Sequence, residues 1–145
     1  MRALGIDLGS KRIGVATSDR SGTIATPLTV LKRSGSHETD YRAIAELVAE
    51  YEIECVVVGL PLHMNGNYGD AAKSAVAEVQ QLTSVLSVPV LTFDERRTTV
   101  TADNILMEQN MNAQERRKVI DKVAAAVMLQ SWLDGRKMTE ARSRD

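Results

Sequence analysis

Three places in the sequence put a carboxylate where charge is costly unless something binds it. Asp7 lies inside an apolar segment, and Asp94 and Glu95 directly follow another one. Asp121 shares the spacing of one helical face with the apolar and small residues at positions 125, 128 and 132. A buried carboxylate is destabilising unless it is paired or binds a cation. The pattern therefore predicts a site for a divalent metal and phosphate.

Carboxylate oxygens are the ligands that Mg²⁺ and Mn²⁺ take in proteins. We predict Asp7, Glu95 and Asp121 as metal ligands and catalytic residues. Asp94 is the alternative to Glu95, because strand alternation turns neighbouring side chains to opposite faces. Two such ions about 4 Å apart would activate water and stabilise the leaving oxygen in phosphodiester cleavage. The two histidines are distant in sequence and Cys55 has no partner thiol, so zinc is not expected.

Each acid also has a simpler interpretation. Asp7 fits a hydrogen-bonded aspartate before a tight turn. The pair at 94–95 fits an acidic cluster at a helix N-terminus, which the helix dipole stabilises. Asp121 fits a surface ion pair with Lys118 or Lys122. The cation site is favoured because three carboxylates around one pocket match the chemistry of a hard cation.

Several residues near these acids are candidates for binding substrate. Gly9 would let a phosphate approach the backbone, and basic side chains can contact phosphate oxygens. A loop after an apolar run at 55–60 adds polar groups at a place where α/β sheets commonly bind ligands. The predicted substrate-binding residues are Gly9, Lys11, Arg12, His63, Asn65 and Arg96.

The elements that must position these residues follow from hydrophobic periodicity. Segments 2–8, 11–18 and 23–31 predict an antiparallel three-stranded meander, in which Pro27 favours an edge or a bulge. A helix capped by Thr39 or Asp40 comes next, then buried strands at 55–60 and 88–93 separated by a helix at 72–86. Helices at 98–108 and 113–133 follow, the last stopped by Gly135. The order βββαβαβα predicts a five-stranded mixed sheet flanked by helices.

Size and composition fit one domain over residues 1–135 and a charged, flexible tail over residues 136–145. The net charge is −1 and aromatic residues make up 3% of the chain, so nucleic-acid contact must use local basic patches. A single Cys55, no apparent signal peptide and no long apolar run predict a cytoplasmic protein without a membrane segment.

Four ordered segments resemble the YqgF (RuvX) family: residues 5–16, 57–66, 93–100 and 121–127. The resemblance implies an RNase H-like fold and a nuclease related to the Holliday-junction resolvase RuvC. It also implies maturation of the 5′ end of the 16S ribosomal RNA precursor, with Asp7, Glu95 (or Asp94) and Asp121 as the acidic site. RuvC-type nucleases carry an acid at the end of the fourth strand. This chain has Gly59 there, so the second ligand must come from the fifth strand.

Other functions are kept as alternatives. A junction resolvase acting on branched DNA shares every predicted site residue. An ATPase of the actin and heat-shock-chaperone kind shares the first loop, but it needs a second similar domain. A non-catalytic nucleic-acid-binding module would leave three buried acids without a purpose. The sequence leaves open whether the protein is a monomer or a homodimer.

Overall fold

The computed structural model describes residues 1–62, 65–97 and 113–143. At Arg97, 113–119 and 138–143 it describes the backbone alone. Three strands form the predicted meander: β1 (Ala3–Leu8), β2 (Arg12–Ser18) and β3 (Ala25–Lys32). Strand β1 pairs antiparallel with β2, and β2 pairs antiparallel with β3. The third strand begins two residues later than predicted.

Strand β3 lies at the edge of the sheet, and the register with β2 shifts at a bulge between Val15 and Ala16. Pro27 lies opposite Ala16 beside this bulge. Proline has no backbone N–H to donate to a ladder, so an edge strand with a bulge tolerates it. The prediction drawn from Pro27 is confirmed.

Two parallel strands complete a sheet of order β3-β2-β1-β4-β5: β4 (Cys55–Leu60) and β5 (Val90–Asp94). Strand β4 is buried along its whole length, as its apolar run predicts. Strand β5 was predicted to be buried as well, and this was wrong. It is the other edge of the sheet, and its Leu91 is 41% exposed.

Helix α1 (His37–Glu50) follows β3, and α2 (Asp70–Val85) connects β4 to β5. The N-cap of α1 is Ser36, whose hydroxyl accepts from the Thr39 amide, so the predicted cap at Thr39 or Asp40 was wrong. Asp40 is buried and accepts from the amide and hydroxyl of Ser34. The helix predicted at residues 98–108 lies outside the described residues.

Helix α3 (Ala113–Ser143) passes through Gly135 without ending there, so the predicted stop was wrong. Glycine in a helix costs roughly 1 kcal/mol relative to alanine. Contacts of the next turn offset this cost, because Arg136 lies over the Trp132 ring and Lys137 donates to the hydroxyl of Thr23. Residues 136–143 thus extend the helix, and flexibility of the tail stays a prediction.

The sheet separates two apolar layers, because successive side chains of a strand point to opposite faces. Leu4 and Ile6 of β1 pack on the side of α1 and α2, with Ile44 and Leu82. Ala3 lies on the other side, with Leu129 of α3. Asp7 follows the alternation of Ala3, so it faces α3. No helix in the described ranges is long and apolar enough to cross a membrane.

Candidate active site

Glu95 lies beside Asp7 because β4 provides an open position between their strands. Glu95 begins a short 3-10 turn (Glu95–Arg97) directly after β5. A Cβ built on Gly59 of β4 would lie 2.5 Å from Oε1 of Glu95 and 3.0 Å from its Cγ. Any side chain at position 59 would therefore displace the Glu95 carboxylate. Glu95 thus brings a carboxylate from the turn after β5 to the place where the resemblance to RuvC-type nucleases predicts one from the end of β4.

Asp7 and Glu95 share a hydrogen bond, and when both are ionised their negative charges repel each other. Burial and the nearby Asp7 charge raise the pKa of Glu95 to about 7. Burial and the Asp121 charge raise the pKa of Asp7 as well. Buried carboxylates in contact cannot all ionise at low cost, so the pair retains a proton near neutral pH.

Asp94 faces a different partner. Its carboxylate accepts from the Nε of Arg96 at 3.0 Å to each oxygen, and Oδ1 also accepts from the Arg96 amide at 3.0 Å. The prediction that Asp94 and Glu95 point to opposite faces assumed that the strand geometry continues beyond residue 93. In the structure Asp94 ends β5 and Glu95 starts the following turn. The structure thus brings Glu95 to Asp7 and leaves Asp94 with Arg96.

Asp121 reaches the site because α3 lies directly on the sheet. A Cβ on Gly14 of β2 would overlap the backbone oxygen of Asp121. A Cβ on Gly5 would lie 2.9 Å from the Cβ of Leu129. These two glycines, together with the small residues of α3, allow the close approach. The Asp121 carboxylate accepts from Nε of Arg12 at 2.7 Å and raises the pKa of Asp7 by its charge.

The chemistry of these groups fits a divalent cation. The donors are carboxylate oxygens, and burial together with the charge of a neighbouring acid raises the pKa of Asp7 and of Glu95, a cost that a bound cation would offset. Among the described residues, no three acidic, histidine or cysteine side chains are already arranged to hold a metal ion. Asp121 instead pairs with Arg12. A three-carboxylate ligand set would therefore require Asp121 to leave Arg12.

The predicted substrate-binding residues fall into two groups around the acids. Gly9, Lys11 and Arg12 form the turn between β1 and β2, where the Gly9 amide donates to the Arg12 oxygen at 2.9 Å. A Cβ on Gly9 would lie 2.5 Å from that oxygen, so the tight turn itself explains this glycine.

The second group belongs to the loop after β4. Oδ1 of Asn65 accepts from the amide of Asn67 at 2.9 Å, which closes a local turn. The Arg96 guanidinium lies 3.4 Å from the position of a Cβ on Gly66, so it packs against the same loop. His63 lies outside the described residues. The structure thus brings Arg96 and the Asn65 loop together.

A buried hydrogen-bond network behind the turn was not predicted, because no local sequence pattern indicates it. Nε of Arg33 donates to the Gly9 oxygen at 2.9 Å, while its two terminal nitrogens donate to Glu78 at 2.7 and 2.9 Å. Tyr41 donates to the same Glu78 carboxylate at 2.7 Å. Glu78 is 6% exposed, and burial opposes its ionisation. The bonds from Arg33 and Tyr41 nevertheless hold its pKa below the ordinary value.

Comparison with known proteins finds relatives that match nearly the whole chain. A protein of Thermoanaerobacter pseudethanolicus named "Putative pre-16S rRNA nuclease" is 44% identical over 138 residues, which cover 94% of this chain and 99% of the relative. A protein of the same name from Caldanaerobacter subterraneus subsp. tengcongensis is 47% identical over 138 residues, with the same shares covered.

A solved structure of RuvC from T. thermophilus, in complex with a Holliday junction substrate, shares the fold with a TM-score of 0.59 and 17% identity. The match covers 94% of this chain and 96% of that one, and it confirms the predicted RNase H-like fold. A family model described as "RuvX: Holliday junction resolvase" matches residues 1–135. With the full-length relatives, this match shows that the chain belongs to the RuvX family.

Proposed function

We propose that this protein is a metal-dependent nuclease that hydrolyses phosphodiester bonds during maturation of the 5′ end of precursor 16S rRNA. The meeting of Asp7, Glu95 and Asp121 from three separate elements carries the proposal. The names of the full-length relatives support the RNA substrate. Precursor rRNA is processed in the bacterial cytoplasm, so the proposal places the protein there.

Asp7, Glu95 and Asp121 would hold Mg²⁺ or Mn²⁺. Such an ion lowers the pKa of bound water and stabilises charge on the phosphate in the transition state. Because a carboxylate binds a metal in its ionised form, the cation would displace the proton that the raised pKa of Glu95, about 7, retains. The hydrogen bond between Asp7 and Glu95 brings the two carboxyl groups together before the metal binds.

The residues around the acids would position the nucleic acid. Lys11 and Arg12 flank the acids on the β1–β2 turn, and Arg96 lies beside the Asn65 loop on the other side. Arginine binds phosphate through two parallel hydrogen bonds. The proposal assigns Lys11, Arg12 and Arg96 to backbone phosphates. It assigns the loop with His63 and Asn65 to the neighbouring nucleotide, and Gly9 to close backbone approach.

A second candidate is a junction resolvase acting on branched DNA. The description of the matching family model favours this activity. Both substrates need the same acids, so the site does not discriminate between them. Turnover on a four-way DNA junction, compared with turnover on precursor 16S rRNA at equal enzyme concentration, decides between the two.

The proposed activity is tested with Asp7→Asn, which retains the size of the side chain and its ability to hydrogen-bond. We expect cleavage in Mg²⁺ or Mn²⁺ to fall at least about a hundredfold. The control is Asp70→Asn at the exposed start of α2, which we expect to cleave like the unmodified protein. Both variants should still unfold in a single cooperative thermal transition, which shows that they are folded. Unchanged cleavage by a folded Asp7→Asn variant would contradict the proposed function.

A further inference from the structure

The ion pair between Arg12 and Asp121 connects the proposed metal site with the proposed phosphate-binding turn. Nε of Arg12 lies 2.7 Å from Oδ2 of Asp121. Their side chains are 50% and 25% exposed, so water reaches both groups. The other two acids bond to each other instead. Arg12 therefore supplies positive charge to the one member of the three that takes no part in the Asp7–Glu95 bond.

The geometry lets Arg12 leave Asp121 without disturbing the fold. Its backbone is fixed, because its oxygen accepts from the Gly9 amide and its residue pairs with Lys32 of β3. The contact with Asp121 is through Nε, with the guanidinium on a half-exposed side chain. Ion pairs of this exposure contribute roughly 0.2–1 kcal/mol, so they break readily.

A divalent cation and the Arg12 guanidinium would compete for the Asp121 carboxylate, because both are positively charged. Charges of the same sign held on one small group repel, and more strongly where burial reduces screening by water. A nucleic-acid phosphate offers Arg12 an alternative partner with geometry suited to two hydrogen bonds. Departure of Arg12 toward phosphate would leave the Asp121 carboxylate available to a cation held by Asp7 and Glu95.

We propose that Arg12 competes with the divalent cation for Asp121, and that a substrate phosphate relieves this competition by taking Arg12. Binding of metal and of nucleic acid then reinforce each other, and by linkage the coupling is equal in both directions. This inference rests on the proposed function, because it takes Asp121 as a metal ligand. It assigns Arg12 the role of a positioning residue that couples metal binding to the arrival of substrate.

The first test measures Mn²⁺ affinity by calorimetric titration in the absence of nucleic acid. We expect Arg12→Gln to bind Mn²⁺ about three- to fivefold more tightly than the unmodified protein, as removal of an exposed competing pair predicts. The control is Lys32→Gln, which removes the same charge from the residue directly opposite Arg12 in the sheet. We expect it to change the affinity less than about twofold. A gain in affinity cannot arise from damage to the fold.

The second test measures the coupling itself. A binding titration with a short fluorescent single-stranded RNA measures the RNA affinity with and without Ca²⁺. Ca²⁺ is a hard cation that binds the same oxygen ligands as Mg²⁺ and Mn²⁺. We expect Ca²⁺ to improve RNA affinity in the unmodified protein and in Lys32→Gln, and to improve it about three- to fivefold less in Arg12→Gln.

The outcomes separate this inference from the proposed function. Unchanged or weaker Mn²⁺ binding by Arg12→Gln, or an equal gain in RNA affinity, overturns the competition while leaving the nuclease proposal intact, provided that Asp7→Asn loses Mn²⁺. Failure of both the unmodified protein and Arg12→Gln to bind Mn²⁺, with and without RNA, overturns both.

Discussion

The carboxylate of Glu95 occupies the space that a side chain on Gly59 would need. Their closest approach, 2.5 Å from a Cβ built on Gly59 to Oε1, is far inside van der Waals contact. One strand therefore lacks a side chain so that the acid of its neighbour can meet Asp7. Position 59 determines the site without contributing a functional group to it.

Gly59→Ala should displace Glu95 and reduce cleavage strongly while leaving most of the fold intact. The clash is with a side chain that can rotate aside, so its cost should lie at the lower end of the roughly 1–3 kcal/mol of overpacking, which a domain of this size can tolerate. Cleavage assays and thermal unfolding of the same preparations give the two readouts. The matched control is Gly135→Ala, because a Cβ there meets nothing within 4 Å. It should raise stability by about 0.5–1 kcal/mol and leave cleavage unchanged.

Metal binding should strengthen with pH across neutrality. The pKa of Glu95 is raised to about 7 and that of Asp7 is raised above its ordinary value, so a cation must displace a proton from the pair below neutral pH. Mn²⁺ titrations from about pH 6 to about pH 8 should show rising affinity and proton release at the lower end. Glu95→Gln should make proton release smaller. A pH-independent affinity in the unmodified protein would contradict the assignment.

The same groups predict the sign of the stability change with pH. Their folded-state pKa values exceed the unfolded ones, so the folded protein holds more protons between the two. The stability they contribute is complete below their ordinary pKa values and is lost as pH rises through about 7 for Glu95. Urea unfolding in metal-free buffer should show this loss, and Glu95→Gln should remove the part due to Glu95.

Glu78→Gln should destabilise the protein by about 3 kcal/mol, because it leaves the buried Arg33 charge without its carboxylate. Arg33 also holds the Gly9 oxygen, so cleavage should fall together with stability. Urea unfolding measures the first effect. The control is Arg42→Gln, which breaks the exposed pair with Glu38 and should cost at most about 0.5 kcal/mol. Similar losses of unfolding free energy in both variants would show that the buried pair stabilises the protein no more than the exposed pair.

Gly14→Ala should move Asp121 away from the sheet. The new Cβ would overlap the backbone oxygen of Asp121, and backbone cannot rotate aside as a flexible side chain can. We expect a loss of stability of about 1–3 kcal/mol, and a loss of cleavage that added Mn²⁺ does not restore. A crystal structure of the variant with α3 unmoved would contradict this expectation.

Periodicity predicted the five strands well, because alternating or continuous apolar runs reflect burial that each strand experiences individually. It could not identify the cap of α1, since Ser36, Thr39 and Asp40 all have suitable side chains and tertiary contacts bury Asp40. The end of α3 was missed for a similar reason. The contacts of Arg136 and Lys137 with Trp132 and Thr23 are invisible in the local sequence.

The meeting of the acids was predictable from burial cost, whereas their support was not. Arg33 and Glu78 are 45 residues apart, and neither lies in a segment whose pattern marks it. Gly59 likewise stands in an ordinary apolar run, and its meaning depends on a side chain from the next strand. Pairings between distant segments carry no local signal. Sequence patterns therefore predicted the acids of the site but not the residues that position them.

The close approach of α3 to β2 means that main-chain atoms, rather than core side chains, define the depth of the acidic site. Substitutions among the apolar residues of α3 can change how firmly the helix is held, but the Gly14 backbone limits how near Asp121 can come. Thermal stability and the dimensions of the site are therefore separate properties of this domain. Members of the family could adapt their cores to different temperatures while the distances between the acids stay the same.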